Sequence, residues 1–174
     1  MTLTRLRIAV ATTAVATAGA LGVTALPVHA DTQFSTATKT VTRDPSPMPY
    51  LVGIRTGRHA TFDRVVFDLS GLPSGYKVGY VNAVRADPSD RIVSLAGRYK
   101  ILVRLIPAAA HNVSGKPTYA GPSRLSVGYP ELRQLALAGD FEGVVSIGLG
   151  LSHRTGFRVL TLRNPTRIVV DLHH

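Results

Sequence analysis

The chain contains no cysteine. A disulfide staple, a thiolate metal site and a lipid-modified N-terminal cysteine are therefore excluded, and stability has to come from an apolar core. Acidic residues are few, ten against twenty Lys and Arg, for a formal charge of +10. Basic runs are missing too: the arginines stand singly from Arg43 to Arg167, without interleaved aromatics, which argues against nucleic acid as a partner. The chain lacks the His-Glu-x-x-His pattern of zinc hydrolases, and neither Ser74 nor Ser146 sits in a Gly-x-Ser-x-Gly nucleophile turn. No cofactor motif is present.

What is present begins with a long apolar run from Ile8 to Leu26, preceded by Arg5 and Arg7 and followed by Val28-His29-Ala30. This is the three-part layout of a secretory signal peptide over 1–30, with cleavage expected after Ala30. The competing reading is a membrane anchor, since a span needs roughly 20 apolar residues. Ala, Thr and Gly dominate the run, however, and Pro27 with the cleavage pattern follows at once, so no stable membrane anchor is expected. Leu6 separates the two arginines, which excludes twin-arginine export. Without residues 1–30, eighteen basic and ten acidic residues leave a charge of about +8. Such a surface is drawn to the polyanions of a bacterial envelope, or simply keeps the protein soluble.

Residues 31–49 are rich in Thr, Ser, Ala, Lys and Pro, and read as a flexible leader, extended where Pro45, Pro47 and Pro49 alternate. From Tyr50 onward, β-branched runs alternate with turn residues about every ten positions, the pattern of a small all-β sandwich of short, mostly antiparallel strands. Strands are expected over 50–55, 64–69, 76–83, 91–95, 99–106, 124–128, 132–137, 144–151, 157–162 and 167–172, with a hairpin turn at Ala96-Gly97-Arg98. Pro130 and Glu131 before the leucines, and Gly139 after them, also suit one short helix over 130–138, an alternative to the strand. Asn112-Val-Ser114 matches a glycosylation acceptor and reads as accidental in a bacterial-type secreted protein.

Two segments echo each other, Arg64-Val-Val-Phe-Asp-Leu69 and Arg167-Ile-Val-Val-Asp-Leu172. Strand alternation turns Val65, Phe67 and Leu69 inward, as it does Ile168, Val170 and Leu172. An antiparallel pairing places Arg64 opposite Asp171 and Asp68 opposite Arg167, and stacks Val66 on Val169. Opposite charges across such a ladder contribute roughly 0.2–1 kcal/mol each.

The stretch from Arg58 to Asp68, Gly139-Asp-Phe-Glu-Gly143, Ile147-Gly-Leu-Gly-Leu151, Phe157-Arg-Val and Pro165 to Asp171 together resemble the AMIN-like domain of secreted actinobacterial proteins. The resemblance spans roughly Tyr50 to His173, and implies a fold related to the AMIN domain, a small β-sandwich. AMIN domains proper are attached to cell-wall amidases and secretins and locate them in the envelope by contact with peptidoglycan. The resemblance brings no catalytic residues with it, and the chain carries no catalytic partner domain.

Three functions follow: a secreted, non-enzymatic wall-binding module, a protein-interaction module docking by an edge strand, or an uncharacterised hydrolase working through Asp140 and Glu142. The first has most support. Its partner would be peptidoglycan or another anionic wall polymer, contacted by Arg55, Arg58 and Arg154 in turns and at strand ends, with Asp140-Phe141-Glu142 beside them. Phe141 would stack on a sugar ring or plug the core. His59 and Asp63, four apart, are the one histidine–carboxylate pair worth weighing for a metal, against a simple local hydrogen bond.

Overall fold

The computed structural model describes residues 31–174, so the apolar N-terminal run and its cleavage pattern lie outside the described residues. Eleven strands are described: β1 (Asp31–Ser35), β2 (Lys39–Val41), β3 (Leu51–Arg58), β4 (Phe62–Leu69), β5 (Gly75–Val81), β6 (Tyr99–Ile106), β7 (Arg124–Ser126), β8 (Leu132–Phe141), β9 (Val144–Leu151), β10 (Phe157–Leu162) and β11 (Arg167–His173). They form two antiparallel sheets, one ordered β1-β10-β11-β4-β3 and the other β2-β5-β6-β9-β8-β7. No helix occurs among the described residues.

Alternation builds the core. Val65, Phe67, Phe157, Val159, Ile168 and Val170 from the first sheet meet Val78, Ile101, Val103, Val145, Ile147 and Leu149 from the second, all fully buried. Each such side chain contributes about 1.5–3 kcal/mol through burial. The echoing strands pair antiparallel in the expected register, with Arg64 opposite Asp171, Val66 opposite Val169 and Asp68 opposite Arg167.

Three local expectations are corrected. The leader over 31–49 is folded: β1 pairs with β10 at the edge of one sheet, and β2 pairs with β5 at the edge of the other. Edge strands are held largely by main-chain hydrogen bonds, so they need few apolar side chains. Arg43 then ties the two sheets together, donating to the Ser74 carbonyl at 2.7 Å and to Thr161 Oγ1 at 3.1 Å.

Residues 91–95 form no strand, and there is no hairpin at 96–98. The segment lies instead on the outer face of the second sheet, where Val84 and Leu95 cover Ala136 and Ala138. Small residues make room for it: a Cβ on Gly148 would stand 2.8 Å from Leu95, and one on Gly150 would collide with the Ala96 carbonyl oxygen.

The helix alternative over 130–138 also fails, because β8 occupies that stretch between β7 and β9. A register shift between Leu132 and Gln134 lets both Leu132 and Leu135 face the core, which gives a strand the leucine spacing of a helix.

Candidate functional site

One end of the sandwich carries a cleft of about 460 Å³, lined by Tyr80, Val81, Asn82, Arg98, Tyr99, Lys100 and Arg154. Tyr80 and Val81 close β5, and Tyr99 and Lys100 open β6 beside them, Val81 facing Lys100 across the ladder. Gly97, at φ 98°, brings Arg98 to the rim: a Cβ there would lie 2.6 Å from the Leu151 carbonyl oxygen. Only glycine tolerates both the positive φ and the approach.

Tyr80 is the fixed floor. Its hydroxyl donates to the Thr155 carbonyl at 2.7 Å and accepts the Thr155 N–H at 2.9 Å. Its ring meets Phe157 edge-on with centroids 6.0 Å apart. Burial pushes the Tyr80 pKa up, partly opposed by the hydrogen bond to the Thr155 backbone, so the hydroxyl keeps its proton at neutral pH.

Arg154 lies over that ring at 4.4 Å and Arg98 over Tyr99 at 5.7 Å, while Lys100 donates to the Gly97 carbonyl. Three cations and two aromatic rings thus face one space, and no carboxylate lines it. The buried Glu131 is engaged elsewhere, accepting the His153 N–H at 2.7 Å. A site of this composition takes anions, with two of its cations held over aromatic rings.

A family model described as the AMIN-like domain matches residues 49–174. The chain belongs to the AMIN-like domain family. No curated protein and no solved structure matches it. AMIN-like domains are generally non-catalytic binding modules found in envelope-associated proteins, which makes this a cell-envelope-related module.

Within the AMIN-like domain the residues expected to bind do not gather in one place. Arg154 lies in the cleft. Arg58 is exposed at the end of β3, across the ladder from Asp63, whose carboxylate accepts the Glu131 and Leu132 N–H groups at 2.7 and 2.8 Å; Leu132 in turn pairs with Leu151. That chain of contacts puts Arg58 at the same end as Arg154.

Arg55 is committed to Asp68, to which it donates two hydrogen bonds at 2.7 and 2.6 Å, and these raise its pKa. Asp68 is thereby taken up from β3, and Arg167 turns its Nε to the Pro165 carbonyl at 3.1 Å.

Asp140, Phe141 and Glu142 sit at the other end. They lie at the β8–β9 turn, whereas Arg154 follows the far end of β9, an eight-residue strand and so roughly 26 Å long. Placement of this loop beside the arginines is therefore corrected. Phe141 is 45% exposed and plugs no core. Glu142 and Gly143 have φ of 48° and 72°, the two positive values a type I′ hairpin requires.

His59 stacks on Phe62 with centroids 4.5 Å apart, while Asp63 turns to the Glu131 and Leu132 amides. Among the described residues, no group of three or more His, Asp or Glu could hold a metal. Sequence reasoning missed Tyr80, Arg98, Tyr99 and Lys100. The signal for the last three was an aromatic between two cations directly after a glycine, Gly97-Arg98-Tyr99-Lys100, which the expected hairpin absorbed.

Proposed function

We propose that this AMIN-like domain is a secreted, non-enzymatic module that holds an anionic glycan of the cell wall, peptidoglycan or another anionic polymer, in the cleft at Arg98, Lys100 and Arg154. The observation that carries the reading is the charge of that cleft: three cations over two tyrosines with no acid in the lining. Carboxylates or phosphodiesters of the polymer pair with the cations, two of which are held over the Tyr80 and Tyr99 rings. Without residues 1–30, the formal charge of about +8 draws such polymers in at long range.

Sedimentation of the purified protein with insoluble wall sacculi tests this. The protein is expected to pellet at low salt and to be released as salt rises past about 0.15 M, where the screening length is roughly 8 Å. Arg154→Ala combined with Lys100→Ala should leave most of it in the supernatant. Failure to pellet at low salt, or pelleting unchanged by the double substitution, rejects the proposal.

A further inference from the structure

The opposite end of the sandwich holds a second cleft, of about 480 Å³, whose lining includes His111, Pro117, Tyr119, Ser123, Leu137 and Asp140. Its chemistry is unlike that of the basic cleft. The lining holds one carboxylate and neither Lys nor Arg. That carboxylate is spoken for: Asp140 Oδ1 accepts the Ala110 N–H at 3.0 Å, and Oδ2 stands 2.6 Å from His111 Nδ1. The pair fixes the imidazole with Nδ1 toward Asp140, which leaves Nε2 as the free hydrogen-bonding edge.

Tyr119 is fixed as well. Its hydroxyl donates to the Pro122 carbonyl at 3.0 Å, and its ring lies so close over Gly121 that a Cβ there would stand 2.5 Å from the ring carbon bearing the hydroxyl. Tyr119 therefore has a ring, rather than a hydroxyl, left to offer. A rigid aromatic, apolar Leu137 and Pro117, and one oriented imidazole beside the Ser123 hydroxyl make an amphiphilic cleft without net cationic charge. The volume falls in the ordinary range of small-molecule sites.

We propose that this cleft is a second ligand site, specific for an uncharged, hydroxyl-bearing ring, that is, a neutral sugar unit. The apolar face of the ring lies on Tyr119 and Leu137, and a ring hydroxyl meets His111 Nε2. The site is independent of the basic cleft: it offers an anion no lysine or arginine, and it stands at the other end of the fold.

The test is an amide NMR titration of the purified protein with an uncharged N-acetylglucosamine oligomer. Resonances of Ala110, His111, Tyr119 and Ser123 should shift on saturation, with an affinity unchanged between low and high salt. Tyr119→Leu, which keeps apolar volume but removes the aromatic face, and His111→Gln, which removes the imidazole, should each weaken binding about tenfold. Two separate variants in the connection between β6 and β7 keep the result readable if one fails to fold. No shifts at millimolar sugar, shifts confined to the Tyr80–Arg154 cleft, or binding unaffected by both substitutions overturns the site. Any of these leaves the salt-dependent sedimentation with anionic walls standing, because that reads the other end of the molecule.

Discussion

Asp171 is fully buried on what the strand pattern makes an outward face. Two arginines enclose it: Arg64 donates Nε and Nη2 at 2.7 and 2.9 Å, and Arg158 donates Nε at 2.9 Å. Both guanidiniums also lie over Phe62, at 5.1 and 5.2 Å. The Arg64–Asp171 contact was legible in the sequence, because the register follows from two similar strands of alternating pattern. Arg158 was not, since nothing local to it points at a residue thirteen positions away. The cleft splits the same way. Arg154 stood out as a cation in a loop, but its partners come from β5 and β6, and only the tertiary fold brings them together. Tyr80 offers a sharp test at this scale. Tyr80→Phe leaves the Thr155 N–H and carbonyl without their shared partner and should cost about 1–2 kcal/mol in denaturant unfolding at neutral pH. The pH dependence has a definite sign. A folded-state pKa above the unfolded one means that unfolded tyrosine releases its proton first, so stability falls as pH rises through about 10 and beyond. Tyr119 is shifted the same way by burial, so Tyr80→Phe should flatten that alkaline decline without abolishing it.

Among elements, nine of the ten strands expected after Tyr50 are found, and the misses share a cause. Residues 91–95 have a strand's composition but cover Gly148 and Gly150, whose lack of side chains opens a place for them on the outer sheet face. Composition reports what a segment prefers, and not whether a neighbouring strand has a free edge to receive it. β1 and β2 are the reverse case: polar sequence made into strand by the open edges of β10 and β5. Removing residues 31–43 uncovers both edges and takes away the Arg43 tie between the sheets. Such a truncation should lose about 2–4 kcal/mol, lowering Tm by roughly 5–15 °C. Size-exclusion chromatography should show self-association as well, because bare strand edges pair with one another. An unchanged melting curve would mean that β1 and β2 are only loosely attached.

At the scale of the molecule, each sheet mixes strands from distant parts of the chain: in the first, β1 reaches β4 only through β10 and β11, whereas β3 pairs with β4 directly. The first sheet is not complete until β11 near residue 170 is in place, and the second, which runs from β2 to β9, waits for residues near 151. Such a topology folds slowly, and refolding from denaturant should fall in the millisecond-to-second range, as stopped-flow fluorescence of the tyrosines would show. The same topology governs how the domain bears a load. β1 lies antiparallel to β10, and β10 lies antiparallel to β11, so β1 and β11 run in the same direction on either side of β10. A pull applied at Asp31 and His174 drags these two strands opposite ways along β10. The backbone hydrogen bonds between them are then strained side by side in shear, and have to rupture together instead of opening one after another like a zip. A domain strung between a wall polymer and a moving surface would resist extension at this three-strand seam.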